Sequence, residues 1–129
     1  MIGYVMLGTN DIARAKAFYD PLMAALGASV MAAYSGDNRT FYTAGANQPM
    51  FAIGKPYDGY AASAGNGTMT SFMVGTRATI DAAYAKAMTL GGKDEGPPGI
   101  RGSDPNGFYA AYFRDPDGNK LCLFRMGAP

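Results

Sequence analysis

The chemistry open to this chain is bounded first by what it lacks. It contains no histidine, a single cysteine (Cys122) and a single glutamate (Glu95). Without imidazole there is no Ser-His-Asp or Cys-His catalysis, no His-ligated zinc and no two-His-one-carboxylate iron site. One thiol allows neither a disulfide nor a thiolate zinc cluster within the chain. Tyr, Arg, Asp, Ser, Met and backbone groups remain. Cys122 has no imidazole to serve as its base, and a lone buried thiol behaves as a small hydrophobe. Arg101 follows the Pro/Gly-rich run Gly96-Pro97-Pro98-Gly99-Ile100. From there a guanidinium can reach over a rim to a carboxylate or phosphate, or simply sit at the surface. Tyr57 and Tyr60 stand in the Gly/Ala-rich stretch 55–67, as lid aromatics or as exposed rings.

The elements that must position these residues can be read from periodicity. Ile2 to Leu7 is apolar and β-prone, and Gly8-Thr9-Asn10-Asp11 offers a turn and a helix N-cap. Ile12, Ala15, Phe18, Tyr19, Leu22 and Leu26 recur at helical spacing, with Gly27 as the stop. Pro21 sits badly in that helix and points to a second short helical turn capped by Asp20. Three short strands are expected at Ser29–Tyr34, Thr40–Thr43 and Met50–Ile53. The order then restarts. Thr68–Val74 reads as a strand, Ile80, Ala83, Tyr84, Ala87 and Met88 form a helical stripe, and Leu90-Gly91-Gly92 closes it. After the Pro/Gly-rich segment Gly96–Gly102 come strands Phe108–Arg114 and Lys120–Met126, joined by Asp115-Pro116-Asp117-Gly118-Asn119. That joint is strong turn chemistry, in which Asp115 and Asn119 are expected to bond nearby backbone. Leu7 with Phe72, Tyr19 with Tyr84 and Gly27 with Gly91 repeat at an offset of 64 to 65 residues. Two copies of strand–helix–three strands follow from that echo.

Composition agrees with a packed domain. The chain has 129 residues, 48% of them apolar, and only 16% charged. A net charge of +1 leaves no electrostatic footprint for nucleic acid or an anionic membrane. The longest near-apolar stretch, Leu22–Tyr34, falls short of the roughly 20 residues of a membrane span. No signal-like start is evident, so a cytoplasmic location is expected.

The segment Gly8-Thr9-Asn10-Asp11-Ile12-Ala13-Arg14-Ala15-Lys16-Ala17-Phe18-Tyr19, placed after a strand, resembles the opening of the vicinal oxygen chelate superfamily of glyoxalases, bleomycin-resistance proteins and ring-cleaving dioxygenases. Tyr112-Phe113-Arg114-Asp115-Pro116-Asp117-Gly118-Asn119-Lys120-Leu121 resembles its closing hairpin. Asn66-Gly67-Thr68 and Gly91-Gly92-Lys93-Asp94-Glu95-Gly96-Pro97 are similar to the glyoxalase-like branch. The resemblance implies an α+β fold: one domain, 1–129, of two βαβββ modules (1–56 and 67–129, linker 57–66) whose curved mixed sheet forms a cup. In metal-using members four side chains on that sheet hold a divalent ion. Carried over singly, those positions fall on Tyr4, Ala52 (loosely aligned), Met69 and Cys122. None keeps an imidazole or carboxylate, so no metal and no other cofactor is expected.

Strand alternation from those four positions turns further residues inward. Met6 joins Tyr4, Met50 joins Ala52, Ser71 and Met73 join Met69, and Lys120 and Phe124 join Cys122. Tyr112 falls where a substrate-contacting Tyr stands in fosfomycin-resistance members. With Arg101 at the rim, Tyr4, Met6, Met50, Ala52, Met69, Ser71, Arg101, Tyr112, Cys122 and Phe124 form the expected cup. Such a Met-rich surface adapts to irregular apolar ligands; the same set packed together would be plain core. The expected function is metal-free binding of a small, largely apolar or aromatic ligand by a homodimer. Two alternatives stand beside it. The first is an enzyme, either a lyase or isomerase of the glyoxalase group or a related one using Tyr4, Tyr112 and Arg101 for proton transfer and anion stabilisation. The second is a structural or regulatory dimer without ligand.

Overall fold

The computed structural model describes all 129 residues. In chain order it holds β1 (Tyr4–Gly8), α1 (Ile12–Ala25), β2 (Ser29–Val30), β3 (Arg39–Thr43), β4 (Met50–Gly54), β5 (Met69–Met73), α2 (Arg77–Thr89), β6 (Lys93–Arg101), β7 (Phe108–Arg114) and β8 (Lys120–Met126). The strands form two four-stranded mixed sheets, ordered β1-β4-β3-β2 and β5-β8-β7-β6. In each sheet the strand preceding the helix lies parallel to the last strand of its module, and the other pairs are antiparallel. This is the α+β fold of two βαβββ modules expected from the repeat.

Local chemistry sets the helix ends. The Asp11 carboxylate accepts the Arg14 N–H at 2.9 Å, and the Thr76 hydroxyl accepts the Thr79 N–H at 3.1 Å. Each cap fills one donor that the first helical turn leaves unpaired. At the far ends Gly27 (φ 81°) and Gly91 (φ 97°) take the left-handed conformation that terminates a helix at low cost. One face of each helix then packs on its sheet. Phe18, Tyr19, Leu22 and Met23 of α1 and Ile80, Ala83 and Ala87 of α2 join one apolar core with Phe51, Ile53, Phe113, Leu121 and Leu123. That core leaves the opposite face of each sheet uncovered by helix.

Two expectations are corrected, and one segment gains an element. Pro21 does not divide α1, which runs unbroken from Ile12 to Ala25. Proline forfeits one hydrogen bond to the preceding turn, but burial of Phe18, Tyr19, Leu22 and Met23 around it outweighs that loss. The strand expected over Ser29–Tyr34 ends at Val30, and Ala32–Tyr34 coils into a 3₁₀ turn. There the Ser35 hydroxyl donates to the Met31 carbonyl (2.8 Å) and accepts the Phe41 N–H (2.9 Å), fixing the bend. The Pro/Gly segment, whose composition marks no element, belongs to β6, the edge strand of its sheet and the third strand that the repeat requires. An edge strand tolerates Pro97 and Pro98, and the register shifts around Gly96 and Gly99 absorb them.

The turn Asp115–Asn119 does more than reverse the chain. Asp115 accepts the backbone N–H groups of Asp117 and Asn119, both at 2.9 Å, as turn chemistry predicts. It also accepts the buried Tyr19 hydroxyl at 2.6 Å, while the Asn119 amide donates to the Gly8 carbonyl at 2.9 Å. Asp117 takes the Arg14 guanidinium (2.8 Å), the Asn10 N–H (3.0 Å) and the Thr9 hydroxyl. The second module's hairpin is thereby latched to the first module at the β1–α1 junction.

Candidate functional site

Cross-strand partners share a face, so the register fixes which side chains lie on the helix-free side of each sheet. On the first sheet Tyr4 pairs with Met50, Met6 with Ala52, and Phe41 with Ala52. Arg39, opposite Gly54, shares that face. A Cβ at Gly54 would touch the Met6 methyl and the Arg39 Cβ, so glycine is what lets those two side chains meet. Tyr4 lies edge-on to Phe41, with ring centroids 5.4 Å apart.

On the second sheet the row Ser71–Cys122–Tyr112 crosses β5, β8 and β7, flanked by Met69–Lys120–Arg114 and by Met73–Phe124–Ala110. Phe124 stacks on Phe108 at 5.4 Å. The Arg101 guanidinium carbon and the Lys120 ammonium lie 5.4 and 5.7 Å from the centroid of the Tyr112 ring. Both are at cation–π distance. Arg101 is therefore placed by β6, on the sheet face itself, rather than at the rim. Arg114 is neutralised by Glu95 at 2.6 Å.

Cys122 is buried between Ser71 and Tyr112. Burial pushes its thiol above the ordinary 9.0, against the opposing pull of Ser71, Tyr112 and nearby cations. Burial and the neighbouring Cys122 likewise raise the Tyr112 phenol, with Arg101 opposing. Both groups hold their protons at neutral pH, which makes them hydrogen-bond donors and not nucleophile or base.

Several inward residues are open to solvent. Tyr4 is 55% exposed, Met6 43%, Met69 42% and Met73 82%. Ala52 and Cys122 at the sheet centres are covered. A cleft of about 720 Å³ opens between the two sheets on their helix-packed side, lined by Met23, Leu26, Tyr42 and Phe51 of the first module and by Thr70, Phe72 and Val74 of the second. Of the expected cup residues only Met50 and Ser71 reach it, at its edge beside Met73. Met50 and Ser71 thus meet at one cavity. No hydrogen bond or ring contact joins Tyr4 or Met6 to Tyr112, Met69 or Cys122 within the chain. A second cavity, about 700 Å³, lies under the 55–61 segment beside Met6, Arg39 and Lys55, with exposed Tyr57 and Tyr60 at its mouth.

The donor set does not suit a divalent ion. Tyr4, Ala52, Met69 and Cys122 offer one phenol, one thioether and one protonated thiol, with no carboxylate or imidazole among them. No three His, Cys, Asp or Glu side chains come together anywhere in the chain. Residue types also left some inward positions unfound. Arg39 and Phe41 required the β3–β4 register, and a short strand bounded by Asn38 and Ala44 carries no sequence mark of it.

Comparison with known proteins agrees with this architecture. A glyoxalase/bleomycin resistance protein from Albidiferax ferrireducens T118 superposes with a TM-score of 0.85 at 36% identity, over 97% of this chain and 98% of that one. A glyoxalase/bleomycin resistance protein/dioxygenase family enzyme from Burkholderia phytofirmans PsJN gives 0.73 at 17% identity, over 96% and 97%. A glyoxalase-related enzyme from Fulvimarina pelagi gives 0.71 at 17%, over 97% and 87%. No curated protein matches the sequence. The family model described as Glyoxalase/Bleomycin resistance protein/Dioxygenase superfamily matches residues 1–123. Sequence, sheet topology and structural likeness agree: the chain belongs to the glyoxalase/bleomycin resistance protein/dioxygenase superfamily.

Proposed function

We propose that this chain is a ligand-binding member of its superfamily that works without a metal, taking a small, largely apolar or aromatic molecule against the inward faces of its sheets. The observation that carries this reading is the exposure of Tyr4, Met6, Met69 and Met73 on those faces. Side chains packed as core would be covered, and Met with aromatic rings suits adaptable apolar contact. Both faces open to solvent also favour a second copy as cover, because exposed apolar patches of this kind mark interaction sites. A homodimer whose partner closes the cup is the assembly proposed. No helix is long and apolar enough to cross a membrane, and one buried unpaired thiol suits the reducing cytoplasm.

A thermal-shift screen of small aromatic compounds, run beside elemental analysis, tests the reading. A compound at 100 times its dissociation constant adds about 2.7 kcal/mol. Stabilisation by one chemical class without stoichiometric metal supports it. A stoichiometric transition metal per chain, or no response to any class, refutes it. The guanidinium over Tyr112 keeps a second reading in view, a lyase or isomerase of the glyoxalase group with Tyr112 as acid and Arg101 as anion stabiliser. Turnover of an α-oxoaldehyde thiohemiacetal, lost in Tyr112→Phe, would favour it.

A further inference from the structure

The charges on the inward faces are not a sample of the whole chain. The protein carries 11 Lys plus Arg against 10 Asp plus Glu. Yet by strand register the inward faces hold the cations Arg39, Lys93, Arg101, Arg114 and Lys120, with Glu95 as the one carboxylate beside them. Glu95 bonds Arg114 and also lies in the field of Lys120 and Lys93, so one carboxylate stands among three of these cations and Arg101 and Arg39 have none beside them. The aspartates lie elsewhere. Asp11 caps α1, Asp20, Asp81 and Asp94 accept the tyrosine hydroxyls of Tyr42, Tyr109 and Tyr84, and Asp115 and Asp117 belong to the hairpin latch. Asp37, Asp58 and Asp104 are in loops.

We infer that the cup selects an organic anion: an apolar or aromatic body carrying a carboxylate or phosphonate head, with the head held by Arg101 and Lys120 over Tyr112. This rests on the cup reading above and narrows it to one charge class. Arg101 is held by one donated hydrogen bond to the Pro97 carbonyl at 2.7 Å, which leaves the rest of its five N–H donors unspent. Glycine at two positions makes room for it. A Cβ at Gly96 would stand 3.2 Å from one terminal nitrogen, and a Cβ at Gly99 3.1 Å from the other. Lys120 makes no salt bridge and its ammonium makes no hydrogen bond to protein. A planar guanidinium prepositioned on a ring, with a free ammonium against the same ring, suits a carboxylate or phosphonate better than a neutral or cationic head. Phe124 and Met69 lie on the same face and offer apolar surface to the body.

The test uses four matched probes on the full-length protein: benzoate, phenylphosphonate, benzamide and benzylamine. Binding is followed by calorimetry and by chemical-shift changes at Tyr112. Benzoate or phenylphosphonate is expected to bind about tenfold or more tighter than benzamide, the scale of one charge-assisted contact, and added salt should erode that margin. Arg101→Met and Lys120→Met should each remove about tenfold of the anion's affinity and leave benzamide unchanged. Arg125→Met, on the opposite face, should do neither. The salt dependence is read on the wild type, so it decides even if a variant folds poorly. Benzamide or benzylamine binding as tightly as the anions, unaffected by Arg101→Met, overturns this inference and leaves the cup reading standing. Binding by none of the four, with no hit among other aromatic compounds, removes both.

Discussion

Replacing Tyr19 by Phe probes the latch between the modules, and the size of the effect can be worked from its contacts. The ring is fully buried among Phe18, Phe51 and the rest of the core, so Phe keeps the apolar packing. What goes is one hydroxyl donating at 2.6 Å to a buried carboxylate. Asp115 retains three donors: the N–H groups of Asp117 and Asn119 and the Asn119 side-chain amide at 2.9 Å. The carboxylate is not orphaned, so the loss belongs near the lower end of the 1.5–3 kcal/mol range for a hydrogen bond to a charged group, about 1.5–2 kcal/mol. For a chain this size that is about 6–8 °C in Tm, at about 4 °C per kcal/mol. Asp115→Ala strips every one of these bonds and buries an unpaired hydroxyl, so it should cost about 3 kcal/mol or more. Alkaline pH adds an independent reading. Burial first, and Asp115 second, hold the Tyr19 phenol well above its ordinary 10.0. Its contribution is complete below about pH 10, where a free tyrosine is still protonated in the unfolded chain. Above that the unfolded phenol ionises while the folded one does not, so wild type loses about 1.4 kcal/mol per pH unit from this group and Tyr19→Phe does not. Other tyrosines are common to both proteins and cancel in the difference. Thermal unfolding followed by circular dichroism at neutral pH and near pH 11 should therefore show the gap narrowing at the higher pH. A neutral-pH difference under 2 °C, or a gap that widens in alkali, would refute the reasoning.

Further outcomes follow from the inward faces. Met69→Trp, at a side chain 42% exposed, should change stability by no more than about 0.5 kcal/mol and abolish any ligand-induced thermal shift; a drop of several degrees, with a wild type that answers no compound, would decide for packed core. Elemental analysis of purified protein should find no stoichiometric Zn, Ni, Fe or Mn, and chelator should leave Tm unchanged, since Tyr4, Ala52, Met69 and Cys122 cannot bind such an ion. Light scattering should report about twice the 13.5 kDa chain mass; that mass alone across a wide concentration range ends the dimer proposal. The Cys122 thiol, buried and raised above 9.0, should react with a disulfide reagent at neutral pH only after unfolding, and rapid stoichiometric reaction in the native protein would show an activated thiolate instead.

The sequence by itself determined the modules, because their signals are local. Helix periods, the cap Asp11, the stops Gly27 and Gly91, and the echo between halves each depend on neighbours along the chain. The poverty in imidazole and thiolate was equally legible, since composition alone decides it; which four positions would hold an ion came only from the family resemblance. Tertiary structure decided what depends on distant partners. Pro21 stays helical because the core buries the residues around it, and the Pro/Gly segment becomes an edge strand because only an edge leaves its missing N–H groups unneeded. Nothing local in Asp115-Pro116-Asp117-Gly118-Asn119 reveals that Tyr19, Gly8 and Arg14, some hundred residues earlier, complete its hydrogen bonds. The gathering of Arg101 and Lys120 on one tyrosine ring is of the same kind. It requires the register of β6, β7 and β8, which is set by bulges and by burial on one face, and alternation along one strand fixes only the side a residue takes and never its neighbour across the sheet.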